Sequence, residues 1–133
     1  MAAMTVSFPG GKRVDAHYNG YTIATDQSPR GGGEGSAPQP FDLFLASLAT
    51  CAGIYVKGFC DARQIDTTGL SLGMEIIPDP VAHRIGRLEL TIHLPLGFPA
   101  QFKDAVVRAA ELCAVKQHLH HPPQITTTAV LAG

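Results

Sequence analysis

Pro40-Phe41-Asp42-Leu43-Phe44-Leu45-Ala46-Ser47-Leu48-Ala49-Thr50-Cys51 is the stretch on which the reading of this chain turns. Proline suits the first turn of a helix, where its missing N–H is not needed, and Asp42 sits well near the positive end of the helix dipole. The pattern predicts one long helix from residue 41 to about residue 64. Leu43, Phe44, Leu45, Leu48, Ile54, Tyr55, Val56 and Phe59 fall on all of its sides, the mark of a helix buried all round. Its uncharged apolar run, residues 43–56, is 14 residues long, which fits a core helix and not a membrane span.

Upstream the chain reads as β. Residues 14–18 and 21–25 flank Asn19-Gly20, a strong hairpin signal, and residues 5–8 form a short strand that ends at Pro9-Gly10-Gly11. Residues 27–40, with Gly31-Gly32-Gly33 and Gly35, must be a loop. It lacks the Gly-Lys-Ser/Thr ending of a phosphate loop, so a flexible lid or a crossing loop is expected.

Downstream, residues 70–77 and 83–94 are strand candidates. Leu88, Leu90 and Ile92 alternate with Glu89, Thr91 and His93, which puts one face on a core. A second helix runs from residue 98 to about 119. Phe102, Ala105, Val106, Ala109, Leu112 and Cys113 make its apolar stripe, opposite Lys103, Asp104, Arg108 and Glu111. Pro122-Pro123 stops it, and residues 125–131 are read as a last strand. The order β-β-β-α-β-β-α-β gives an α+β class in a single domain, residues 1–133.

Hydrophobic residues make up 45% of the chain and charged residues only 16%. Two helices cannot cover both faces of a six-stranded sheet, so a second copy of the chain is expected to cover the rest. A net charge of −1 lacks the basic excess of a nucleic-acid partner. Residues 1–9 show no basic n-region or long apolar segment, which makes the cytoplasm the expected compartment. Three cysteines in such a chain do not suggest a disulfide-stapled scaffold.

Cys51 lies on the first helix and Cys113 on the apolar stripe of the second. Free cysteines often just fill a core. Each lies on a core-facing helix, so packing those helices together could bring the sulfurs within disulfide reach. Cys60, nine residues past Cys51, projects to the opposite side of the helix and reads as structural. His118, His120 and His121 lack zinc spacing and read as exposed residues at a helix C-terminus, so no metal is expected.

Residues 40–51 resemble the central-helix signature of the OsmC/Ohr family, the osmotically inducible and organic hydroperoxide resistance proteins. Ala109-Ala110-Glu111-Leu112-Cys113-Ala114-Val115 resembles that family's second cysteine box. The resemblance extends over residues 10–130, and the separation of Cys51 from Cys113, 62 residues, is the family's. It implies an OsmC-like fold of antiparallel sheets with two core helices, in an intertwined homodimer with its sites at the interface. It also implies a thiol peroxidase with no cofactor: peroxidatic Cys51, resolving Cys113, an organic hydroperoxide substrate and an external dithiol reductant. Gly10-Gly11-Lys12-Arg13 resembles the family's Gly-Gly-Arg turn, which makes Arg13 the expected activating cation, with Lys12 its rival. Two positions depart from the peroxidase pattern: Phe41 stands where a glutamate is usual, and Ala114 where a proline is usual. The chain therefore resembles the general OsmC-like branch. The alternative is a non-catalytic or small-ligand-binding dimer with inert core thiols.

Overall fold

A computed structural model describes residues 3–132. The chain forms two compact units, divided after Ala46.

The first unit is built on a three-stranded antiparallel sheet, β1 (Thr5–Gly10), β2 (Arg13–Tyr18) and β3 (Tyr21–Thr25), in that order. Asn19 (φ 52°) and Gly20 (φ 79°) both take the left-handed backbone that a tight hairpin needs, as the Asn-Gly pair predicts. Strand alternation sorts the side chains. On one face the His17 ring bridges Ser7 Oγ (2.9 Å) and Thr22 Oγ1 (3.2 Å). On the other, Val6, Ala16 and Ile23 are in register across the three strands.

The glycine-rich segment that follows is not an untethered lid. It carries a 3-10 turn, Pro29–Gly31, and wraps around the Asp26 carboxylate, which is 1% exposed. Asp26 accepts bonds from the main-chain N–H of Gln27, Glu34 and Ser36 and from the Ser36 hydroxyl. These bonds favour the ionised form and hold Asp26 at about 2, with the Ser36 hydroxyl the largest contributor. Gly33 is required where it stands, because a Cβ there would run into the Gln27 carbonyl and the Asp26 carboxylate.

Helix α1 (Pro40–Ala62) opens as expected, with the Gln39 N–H donating to Asp42 Oδ2 at 3.1 Å. It continues into the second unit, whose remaining elements are β4 (Ser71–Asp79), β5 (Arg84–His93), α2 (Lys103–Glu111) and α3 (Ala114–His120). β4 and β5 pair antiparallel, and their connection is tightened by Asp79 Oδ1, which accepts from the N–H groups of Val81 and Ala82. The core joins Ala52, Val56 and Cys60, four residues apart on one face of α1, to Val106 and Ala110 of α2. Leu72, Leu90 and Ile92 pack on this core from the sheet. Phe59 and Phe102 meet edge-to-face with centroids 5.9 Å apart, and the Arg63 guanidinium stacks 3.7 Å from the Phe59 ring.

Four expectations are corrected. α1 is not buried all round: one stripe is, while Ile54 is 63% exposed and Tyr55 is also open. By length and composition α1 could span a membrane, with a mean hydropathy of 1.6 over its most apolar stretch, but its buried stripe packs as a core helix does. The second helix is two helices, α2 and α3, because Cys113 leaves helical geometry (φ −59°, ψ 143°). No strand forms at residues 125–131, where Ile125, Val130 and Leu131 are exposed; an isolated segment has no ladder to join. The described strands thus make a three-stranded and a two-stranded sheet in place of one six-stranded sheet. The α+β class and the antiparallel pairing stand.

Candidate active site

α1 exposes and buries its residues in turn. Leu48, Ala52, Val56 and Cys60 face the core, and Cys51, one step round the helix from Ala52, is half-buried at the edge of that stripe. Cys113 arrives by a different device. The end of α2 closes through Leu112 N–H to the Ala109 carbonyl (3.1 Å), and the next residue turns extended. Cys113 then caps α3, its Sγ accepting the Lys116 main-chain N–H at 3.5 Å. The sulfur is fully buried.

These two routes bring the thiols together, and a side-chain hydrogen bond links Cys113 to Cys51. Burial pushes the Cys113 thiol up, because a charged sulfur is poorly solvated there, and the hydrogen bond to Cys51 and the electrostatic influence of that second thiol add to this. The Lys116 N–H and, more weakly, the Lys116 charge work in the opposite direction. Two adjacent free thiols of this kind can close to a disulfide by giving up two electrons to an oxidant.

Cys60 lies within the core, where burial raises its thiol, as befits a structural residue. Arg13 lies in the first unit, where its Nη2 is 3.8 Å from Asp15 Oδ2. The other Asp15 oxygen is buried without a hydrogen-bond partner. His118, His120 and His121 are exposed, and His118 Nδ1 lies 2.7 Å from the Ala114 carbonyl oxygen.

A residue that sequence reasoning passed over is Lys116. Its ammonium lies 3.1 Å from Glu111 Oε2, and both line an apolar groove of about 340 Å³ with Leu48, Leu88, Leu90 and Leu119. The available signal was its position three residues after Cys113, the distance at which a capping side chain meets a main-chain N–H.

An α+β fold whose helices hold a pair of free cysteines side by side defines a class of thiol proteins. The OsmC family, described as OsmC-like protein, matches residues 33–128, and the chain belongs to it. Similar folds occur in three solved structures. A Psychrobacter arcticus 273-4 protein described as an osmotic stress induced and detoxification response protein is 22% identical, with a TM-score of 0.74 over 88% of this chain and 87% of that one. The organic hydroperoxide resistance protein OsmC of Legionella pneumophila is 19% identical, with a TM-score of 0.58 over 90% and 88%. The organic hydroperoxide resistance protein OhrB of Bacillus subtilis is 15% identical, with a TM-score of 0.53 over 92% of each chain. No curated protein matches the sequence.

Proposed function

We propose that this chain is a thiol-dependent peroxidase that reduces organic hydroperoxides. The observation that carries the reading is the hydrogen bond between Cys113 and Cys51, and membership of a family that includes hydroperoxide-reducing enzymes supports it. In the proposed cycle the Cys51 thiolate attacks the outer peroxide oxygen, the O–O bond breaks, and the alkoxide leaves as an alcohol after taking a proton. Cys51 becomes a sulfenic acid. The Cys113 sulfur then attacks the Cys51 sulfur, the S–O bond breaks, water leaves, and a Cys51–Cys113 disulfide remains. An external dithiol reduces it by exchange. The apolar side chains beside the pair favour an organic peroxide over a more polar one.

In this reading Arg13 supplies the cation that keeps Cys51 ionised, with Lys12 of the same turn as the alternative. The chain acts as one OsmC-like domain in a cytoplasmic homodimer, in defence against oxidative stress and without a cofactor. The test is peroxide consumption with thiol counting: turnover with a dithiol present, and loss of two thiols per chain after oxidation, support the reading. Inert thiols under peroxide would favour a ligand-binding dimer.

A further inference from the structure

We propose that Cys113 is a redox switch for helix α3: its sulfur caps the helix while the thiol is free, and a disulfide with Cys51 withdraws the cap and loosens the helix. Cys113 is extended (φ −59°, ψ 143°) and α3 begins at the next residue, so Cys113 stands in the capping position. The first turn of a helix leaves its N–H groups without partners inside the helix, and a side chain at that position supplies one. Here the acceptor is Cys113 Sγ, which takes the Lys116 N–H at 3.5 Å. The same side chain is hydrogen-bonded to Cys51 on α1. One sulfur thus serves two elements.

α3 depends on that cap because its other supports are slight. It spans seven residues, none of them buried, and no acidic side chain stands in its first turn. A helix of that length does not persist on its own propensity. The Lys116–Glu111 ion pair joins it to α2, but the Glu111 side chain is 61% exposed, which leaves the pair weak. When the thiols close, each gives up a proton, the pair gives up two electrons to the oxidant, and the S–S bond forms. Closure commits Cys113 Sγ to a covalent partner on α1. The side chain then no longer follows the α3 main chain, and the Lys116 N–H loses its acceptor. α3 brings Lys116, Leu119 and His120 to a groove of about 340 Å³ that Leu48, Leu88 and Leu90 also line. The α3 wall of that groove is therefore firm in the reduced protein and loose in the oxidised one. The inference rests on the thiol pair that the peroxidase reading also uses, and not on any reaction with peroxide.

The experiment compares amide hydrogen exchange in the dithiol and disulfide forms of the full chain. The azo compound diamide closes the pair by taking up the two electrons and two protons, and peptide mass mapping locates the disulfide. Exchange over residues 114–121 should quicken about fivefold on closure, while the amides of Ala52, Val56 and Cys60 on α1 keep their protection. Two variants read the cap without oxidation. Reduced Cys113→Ala should exchange over residues 114–121 as fast as the oxidised wild type. Reduced Cys113→Ser, whose hydroxyl also caps, should stay as slow as the reduced wild type. Unchanged or slower exchange in the disulfide form overturns the proposal. So does a Cys113→Ala helix as protected as the wild type, or a pair that diamide does not close. A protein whose α3 loosens under diamide but which never turns over peroxide keeps the switch and loses the peroxidase reading. An active peroxidase whose α3 exchanges alike in both forms keeps the peroxidase reading and loses the switch.

Discussion

Cys113, fully buried at the junction of α2 and α3, is hydrogen-bonded to Cys51, which is only half-buried on α1. This asymmetry distinguishes the two thiols. Cys51→Ser is expected to abolish peroxide turnover. Cys113→Ser should allow one oxidation and stop at a sulfenic acid that dimedone traps, visible by mass spectrometry. Equal residual turnover in the two variants would contradict the assigned order.

Cys60 should behave as packing. It is enclosed by Val56, Val106 and Ala110, and burial raises its thiol. Cys60→Ala is expected to cost about 1 kcal/mol of stability, through lost contacts and a small cavity, and to leave peroxide turnover unchanged. Denaturant melts paired with activity assays check both halves.

The Asp26 carboxylate organises the glycine-rich loop and, at about 2, stays below its ordinary value of 3.8. Its folded-state value is depressed, so its contribution to stability is complete above the unfolded value and disappears as pH falls through the folded one. Asp26→Asn should therefore lower the melting temperature near neutral pH, and the gap to wild type should close towards pH 2. A gap that stays constant over that range would show that the carboxylate charge is not what holds the loop.

Arg13 is paired with Asp15 at 3.8 Å, and the relation of that pair to the thiols is testable by titration. Arg13→Gln is expected to shift Cys51 alkylation to higher pH and slow peroxide reduction, with Lys12→Gln doing much less. A larger effect from Lys12→Gln would place the activating charge one residue earlier.

The first unit leaves Val6, Phe8, Tyr21 and Ile23 open to solvent, and the second leaves Ile54 and Tyr55 open. So many large apolar groups are costly for a monomer in water. Light scattering at micromolar concentration is expected to report a dimer, and a monomer would remove the interface-site reading.

Some of this molecule was legible along the chain because the signals are local. Asn19-Gly20 set a tight hairpin because both residues tolerate positive φ, and Pro40 with Asp42 set the start of α1. The β4 and β5 ladder followed from alternating apolar residues. The two cysteines could be singled out, but their pairing rested on a resemblance.

What sequence alone determined, then, is the first hairpin, the start of α1, the β4 and β5 ladder and the α+β class. Residues 125–131 mark its limit: their pattern suits a strand, but a strand exists only where a neighbour completes its hydrogen bonds. The tertiary structure alone decided that the second helix breaks at Cys113, that Cys113 then reaches Cys51, and that Asp26 gathers four hydrogen bonds from a loop up to ten residues away.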